Sequence, residues 1–235
     1  YYAGNRKLRG VEALIRWKDG NGRMISPAKF IPIAEKNGTI IPIGNWVLEQ
    51  SIRTFSEWRN RYGVPFVLSV NISALQYQKK DFVETLLNII HKYDVDPDEI
   101  ELEITESILI DDFSAVTEKM QLLKEYGIRI SLDDFGTGNS SLSLALELPF
   151  DELKVDMSFI RDIKQKPQNQ AMVQSIVDYA RRTNTETCIE GIEDKEVSDY
   201  IEKFGSTWQQ GYYYSKPVPI EQFEEVLREK ATEKE

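Results

Sequence analysis

Short runs of β-branched and aliphatic residues alternate along the chain with longer amphipathic stretches. Short runs of this kind predict strands, and apolar residues three and four positions apart predict helices. The predicted strands are Val11–Trp17, Phe66–Ile72, Ile100–Thr105, Ile128–Asp133, Glu152–Asp156, Thr187–Glu190 and Trp208–Tyr212. The predicted helices are Trp46–Arg61, Asp81–Tyr93, Ser114–Tyr126, Asn169–Arg182 and Lys195–Phe204. This alternation indicates an α/β fold with a largely parallel sheet.

No Ser/Gly tract, internal repeat or linker divides the chain, so residues 1–235 are predicted to form one domain, with a polar tail after Arg228. Asp112 or Ser114 is suited to cap the helix that follows, and Gly127 to end it. The single cysteine, Cys188, excludes an internal disulfide framework and is expected to be a small buried apolar residue.

Polar residues lie near the ends of almost all predicted strands: Asn71, Glu103, Asp133, Lys154, Asp156, Glu190 and Gln210. In a barrel the strand ends converge on one face, whereas an open sheet would spread them along an edge. The pattern therefore favours a barrel over a doubly wound sheet.

Side-chain alternation separates the faces of each strand. Glu12, Leu14 and Arg16 share one face of the first predicted strand, and Glu101, Glu103 and Thr105 share one face of the third. We expect the apolar sets to face the helices and the polar sets to face the lumen.

Overall charge is −10, from 29 Lys and Arg against 39 Asp and Glu. An acidic surface disfavours binding of DNA or RNA, which requires clustered cations. A small phosphorylated ligand stays possible, since bound cations can invert the local field.

Lumen acids with only Lys154 and Arg16 as evident counter-charges predict bound cations. The adjacent pair Asp133 and Asp134 is the sharpest case. Oxygen ligands without histidine or cysteine clusters suit Mg²⁺ or Mn²⁺. The only histidine, His91, lies in a predicted helix, which argues against a Ser-His-Asp mechanism.

Each of these residues also has a purely structural interpretation. Glu12 or Glu103 alone can be a satisfied polar strand residue. Asp133 and Asp134 can close a turn or cap a helix, and Lys154 can simply pair with Asp156 or a neighbouring acid.

Ordered motifs from about Gly10 to Pro217 resemble the EAL-type cyclic di-GMP phosphodiesterases. They are Glu12-Ala13-Leu14 with Arg16, Asn71, Glu103-Ile104-Thr105-Glu106-Ser107, Asp133-Asp134-Phe135-Gly136-Thr137-Gly138, Leu153-Lys154-Val155-Asp156, Glu190-Gly191-Ile192-Glu193 and Gln210-Gly211-Tyr212.

The resemblance implies a modified (β/α)8 barrel that hydrolyses cyclic di-GMP to linear pGpG with two Mg²⁺ or Mn²⁺ ions. Ca²⁺ is expected to bind but to inhibit. The resemblance also implies a bacterial cytoplasmic domain, either free or the cytosolic part of a membrane-anchored protein. A homodimer and regulatory sensor domains in a larger signalling protein are further expectations, whereas a DNA or RNA polymer is not an expected partner.

The resemblance assigns roles to individual residues. Glu12, Asn71, Glu103 and Asp133 match ligands of one metal, and Asp133, Asp134 and Glu190 match ligands of the other. Lys154 matches the residue that holds and helps activate the attacking water, and Glu106 matches the acid that braces the Asp-Asp-Phe-Gly loop. Leu14, Arg16, Asp156, Glu193 and Gln210 match substrate contacts or the pocket lining.

Some positions depart from the family pattern. Tyr2 is followed directly by Ala3 and Gly4, so the family's first strand is expected to be truncated or incomplete here. Asn139 and Leu144 replace residues common in the loop after Gly138, so loop dynamics and dimer packing are expected to differ. Two other functions are considered: a cyclic di-GMP receptor or protein-interaction module with the same fold, and a glycoside hydrolase that uses two carboxylates.

Overall fold

Seven parallel strands form one curled sheet in the computed structural model, which describes residues 1–3, 5–109, 113–136 and 148–232. In sheet order the strands are β1 (Gly10–Ala13), β4 (Val67–Asn71), β5 (Ile100–Thr105), β6 (Arg129–Phe135), β7 (Glu152–Val155), β8 (Glu186–Ile189) and β9 (Trp208–Gln209). A separate antiparallel hairpin joins β2 (Trp17–Lys18) to β3 (Met24–Ile25). The order of the seven strands in the main sheet is their order along the chain, as expected for a TIM-like α/β fold.

Helices occupy the connections between the strands. They are α1 (Pro27–Lys36), α2 (Ile40–Tyr62), α3 (Ala74–Tyr77), α4 (Phe82–Lys92), α5 (Phe113–Glu125), α6 (Met157–Ile160), α7 (Pro167–Thr183), α8 (Lys195–Glu202) and α9 (Ile220–Thr232). Short 3-10 helices cover Pro97–Glu99 and Glu106–Leu109. Within the described ranges, the longest helix, α2, lacks the apolar length that a membrane span requires, as do the others.

The first predicted strand was too long. It ends at Ala13 rather than Trp17, and Trp17 belongs to the hairpin instead. Leu14 and Arg16 therefore lie beyond β1, and strand alternation does not place them in the lumen. Phe66, Ile72, Asp156, Glu190 and Gln210 likewise lie just outside their strands rather than within them.

Four of the helices in the described ranges were not predicted, and one predicted helix begins earlier than expected. The additions are α1, α3, α6 and α9, and α2 starts at Ile40 rather than Trp46. Gly127 takes the predicted left-handed conformation after α5, with φ +89°, whereas Asp112 lies outside the described residues.

The apolar face of each main strand packs against the helices. Val70 and Leu102 are registered partners on adjacent strands, as are Leu102 and Ile130. All three are fully buried, together with Leu86 and Met120 from surrounding helices. Burial of such side chains stabilises a fold by about 1.5–3 kcal/mol each, so this outer layer holds the strand ends in place.

The edge strands β1 and β9 are joined by the beginning of the chain rather than by direct pairing. Gln209 N–H donates to the Tyr1 carbonyl at 2.8 Å, and Tyr2 N–H donates to the Lys7 carbonyl at 3.0 Å. The expected incomplete first strand is present here as an isolated antiparallel bridge between Tyr2 and Trp208. The first residues of the chain therefore cover the gap between β1 and β9, which we call the seam of the barrel. Glu12 and Gln210 lie beside this seam.

A buried ionic cluster fills the lumen below the carboxyl ends of the strands. Arg9 donates to both Glu101 oxygens at 3.0 and 2.8 Å, and Arg129 adds a bond to Glu101 at 3.2 Å. Arg9 also lies 3.4 Å from Glu152 and 3.7 Å from Glu186. Burial, together with the charge of Glu101, raises the pKa of Glu152 to about 8, so that carboxyl is largely neutral at pH 7 and relieves the excess of acids.

Helix α8 offers a direct test of local structure. Asp194 precedes it, and its side chain accepts a hydrogen bond from Val197 N–H at 2.8 Å. Asp194→Ala removes this cap and should lower the free energy of unfolding by about 1 kcal/mol. Asp194→Asn retains an acceptor and should stay close to the parent in urea titrations. Equal losses in both variants would contradict the capping role.

Candidate active site

Lys154 lies at the centre of the acidic residues. Its Nζ is 3.0 Å from Glu190 Oε1, 3.1 Å from Glu103 Oε2, 3.2 Å from Asp133 Oδ1 and 3.9 Å from Glu12 Oε2. Its side chain is only 2% exposed. The barrel thus brings together four acids from four different strands or strand ends, and the lysine pairs with them rather than with Asp156.

A β-bulge brings both adjacent aspartates to the same part of the sheet. Leu132 pairs with Leu153 and Phe135 with Val155, so Asp133 and Asp134 together lie opposite the single residue between those partners, Lys154. In a regular strand the two aspartates would point to opposite faces. The extra residue of the bulge is accommodated because the Asp134 backbone takes a left-handed conformation, with φ +55°. Bulges of this kind re-aim side chains next to active sites.

Two amides orient Glu12 at the seam of the barrel. Asn71 Nδ2 donates to Glu12 Oε1 at 2.7 Å, and Gln210 Nε2 donates to Glu12 Oε2 at 2.8 Å. Asn71 is in register with Glu103 on the neighbouring strand. Gln210 is therefore a positioning residue for Glu12 in this structure, besides being a predicted pocket residue.

Burial and mutual repulsion shift the ionisation of the cluster. Burial raises the pKa of Glu103 well above its ordinary value despite the attraction of Lys154. Burial likewise raises the pKa of Glu190 to about 7, with Lys154 opposing and Asp133 adding repulsion. Burial also disfavours charge on Glu12, but Lys154 and the two amides outweigh it and lower the pKa of Glu12.

The lysine responds in the opposite direction. Burial disfavours its charge, but the carboxylates of Glu103 and Glu190 dominate and raise the pKa of Lys154 well above the usual value. In this arrangement the surrounding acids therefore favour the protonated Lys154 ammonium, which can donate hydrogen bonds.

Local turns fix the residues that follow β7 and β8. Asp156 accepts a hydrogen bond from Ser158 N–H at 2.9 Å and thereby caps α6. Gly191 follows Glu190 with φ +71°, and a Cβ at this position would lie 2.4 Å from the Met157 Cβ. The close approach of these two segments requires glycine and fixes the direction in which Glu190 leaves β8.

The remaining predicted site residues lie around this centre. Glu106 begins the 3-10 helix that directly follows β5. Leu14, Arg16 and Glu193 are exposed, and the Arg16 guanidinium donates to the neighbouring Ile15 carbonyl. Their predicted substrate contacts stay predictions. Thr137, Gly138, Asn139 and Leu144 lie outside the described residues.

The donor set fits a hard divalent cation. Its side chains offer carboxylate and amide oxygens, which Mg²⁺ and Mn²⁺ prefer. Glu103 Oε2 and Asp133 Oδ1 are buried, and within the described ranges they pair with the Lys154 ammonium but accept no hydrogen bond. In that same part of the chain, no three acidic, histidine or cysteine side chains are spaced as a ready-made metal site. The acids instead lie around the Lys154 ammonium.

Strand alternation correctly placed Glu101 in the lumen, but the sequence analysis did not recognise Glu152 and Arg9 as its lumen neighbours. Glu152 precedes Lys154 by two positions, so the same alternation could have placed it there. Arg9 gave no such signal because it precedes β1. Cys188 and His91 were interpreted correctly, as a buried thiol and an exposed residue of α4.

The curled parallel sheet with acids and a buried lysine at its carboxyl ends defines a TIM-like α/β protein with a candidate metal-dependent site. The chain belongs to the EAL domain family, whose model matches residues 2–217.

Named relatives agree with this assignment. The chain is 35% identical to the signaling protein YkoW of Bacillus subtilis over 97% of its own length and 28% of that protein. It is 35% identical to the cyclic di-GMP phosphodiesterase PdeR of Escherichia coli over 93% of its length and 33% of that protein. A solved structure of the PaMucR phosphodiesterase in complex with cyclic di-GMP superposes with a TM-score of 0.89 at 35% identity, covering 94% of this chain and 90% of the other. The chain thus spans about a third of the length of these curated relatives.

Proposed function

We propose that this domain hydrolyses cyclic di-GMP to linear 5′-pGpG with the help of two divalent cations. The observation that carries the proposal is the buried cluster in which Glu12, Glu103, Asp133 and Glu190 surround Lys154. A relative named as a cyclic di-GMP phosphodiesterase and the similar structure in complex with cyclic di-GMP supply the substrate class.

The residues that would hold the cations are Glu12, Asn71, Glu103, Asp133, Asp134 and Glu190. When bound, Mg²⁺ or Mn²⁺ would supply positive charge to an anionic substrate and activate the attacking water. Without cations, this cluster would repel a phosphodiester, because its acids outnumber its lysine.

The protein's own groups orient the reactants. Asn71 and Gln210 hold both oxygens of Glu12, so this carboxylate keeps one orientation without reorganising during the reaction. The protonated ammonium of Lys154 can donate a hydrogen bond to the attacking water and hold it near the phosphate. Asp156 is kept next to this site by its bond to Ser158 N–H.

Substrate contacts are assigned to the exposed residues at the carboxyl-end side of the sheet. Arg16 bears a cation suited to phosphate recognition, and Leu14 is 41% exposed and available for apolar contact with a base. Glu193 and Gln210 line the same region in this proposal, and Glu106 braces the loop that carries Asp133 and Asp134.

We further propose that the domain is the output part of a longer bacterial signalling protein, acts in the cytoplasm and works as a homodimer. The small share of each curated relative that the chain covers supports the first of these statements.

The direct test is to incubate the protein with cyclic di-GMP and to separate the products by chromatography. We expect pGpG to form with Mg²⁺ or Mn²⁺ and to disappear with EDTA. Ca²⁺ should support little turnover, since its looser coordination places the water less accurately.

Two outcomes would contradict the proposal. Binding of intact cyclic di-GMP without product in Mg²⁺ or Mn²⁺ would indicate a receptor. Hydrolysis of a glycoside that survives EDTA would indicate the two-carboxylate alternative.

A further inference from the structure

The Lys154 ammonium lies where the proposed metal ligands converge. Glu103, Asp133 and Glu190 are within 3.2 Å of its Nζ, and Glu12 is 3.9 Å away. These four acids come from β1, β5, β6 and the end of β8, and the outer packing of those strands holds them in place. A cation that binds these carboxylates therefore has to share them with the lysine.

One ammonium leaves the cluster short of positive charge. It faces four carboxyl groups, and Glu103 Oε2 and Asp133 Oδ1, at 3.1 and 3.2 Å from its Nζ, have this ion pair but no hydrogen bond in the described part of the chain. Burying acids without compensation is costly. In the arrangement described here, the Lys154 ammonium partly compensates the negative charge of the four carboxyl groups. A divalent cation would compensate that charge more fully.

We propose that Lys154 is the resident counter-ion of the metal-free site and competes with divalent cations for its carboxylates. Lys154 thereby sets the metal affinity of the domain, in addition to the water-holding role proposed above. This inference rests on the proposed function, because it requires that the same acids bind the metal.

The surroundings give the ammonium room to move aside. A cavity of about 40 Å³ lies in the lumen next to Lys154 and is lined by Glu152, Cys188 and Trp208, among others. That volume exceeds the space needed for one water molecule. This space allows the flexible lysine side chain to shift its ammonium away from the centre of the four carboxyl groups while it stays beside the site.

The test is calorimetric titration of Mn²⁺ into the EDTA-stripped and dialysed protein. Lys154→Met removes the charge and keeps the length of the side chain, and should tighten Mn²⁺ binding about tenfold or more because one repulsive neighbour is lost. The same variant should melt at a lower temperature in EDTA and gain more than the parent from added Mn²⁺. Lys124→Met is the matched control, because Lys124 pairs with Asp151 at 2.8 Å away from the site; its Mn²⁺ affinity should equal that of the parent.

A second variant keeps the test decisive if the methionine variant does not fold. Lys154→Gln is neutral but can hydrogen-bond, and it should show the same direction of change in Mn²⁺ affinity. Unchanged or weaker Mn²⁺ binding in the neutral variants would overturn the inference, since the lysine would then organise the ligands rather than compete for them. Absence of Mn²⁺ binding in the parent protein would instead overturn the proposed metal site itself.

Discussion

Glu12→Gln is expected to reduce the turnover of cyclic di-GMP by about 10³-fold or more, which corresponds to about 4 kcal/mol of transition-state stabilisation. The substitution keeps the size of the side chain but removes the charge that the proposed cation would neutralise. It also disturbs the two bonds at 2.7 and 2.8 Å through which Asn71 and Gln210 orient the carboxylate. Steady-state pGpG formation at saturating Mn²⁺ measures the effect.

Glu49→Gln is the matched control for this prediction. Glu49 lies on α2 and pairs with Lys92 on the surface, so its loss should leave turnover unchanged. In EDTA the thermal midpoint of Glu12→Gln should lie somewhat below that of the parent, because Lys154 and the two amides favour the charged form of Glu12. Near-normal turnover in Glu12→Gln would refute the metal-binding role of Glu12.

Arg9→Met is expected to lower the free energy of unfolding by about 3–5 kcal/mol, the cost of breaking a buried ion pair. The Arg9 side chain is 10% exposed and makes a two-bond contact with Glu101, which is itself almost fully buried. Its guanidinium also lies over the Trp208 ring at 5.0 Å. Methionine restores part of the packing but leaves Glu101 with Arg129 as its remaining ionic partner in the described part of the chain.

Urea denaturation of the metal-free protein measures this loss. Arg23→Met, which removes an exposed arginine paired with Asp19, should change stability by less than about 1 kcal/mol. The double variant Arg9→Met with Glu101→Gln should recover part of the loss, because the acid no longer carries an undercompensated charge. A loss in Arg9→Met no larger than in Arg23→Met would show that the lumen cluster contributes little to stability.

Strand alternation predicted much of the site because its period is two. It placed Glu103 opposite Leu102 and Ile104, and the structure confirms that the two apolar residues are buried in the core while Glu103 faces Lys154. The same rule failed for Leu14 and Arg16. Their alternation continues past Ala13, but the chain leaves the sheet there, and a residue pattern alone does not mark where pairing stops.

The bulge at Asp133 and Asp134 could not be predicted from one strand. Its existence depends on the register with β7, in which two residues lie opposite one. Helix α1 was missed because Pro27 and Pro32 suggest a loop, although Pro27 occupies the first turn, where proline is tolerated. Helix α9 was missed because its many charges resemble a polar tail, yet Leu227 is fully buried against the core.

Anomalous diffraction from crystals soaked in Mn²⁺ tests the central claim most directly, because it locates the cations independently of catalysis. We expect two Mn²⁺ peaks among the proposed ligands, with the Lys154 ammonium moved away from the centre of the carboxylates. These ligands are Glu12, Asn71, Glu103, Asp133, Asp134 and Glu190. A fully soaked crystal with no Mn²⁺ peak among these residues, and with Lys154 still between the four acids, would contradict this claim.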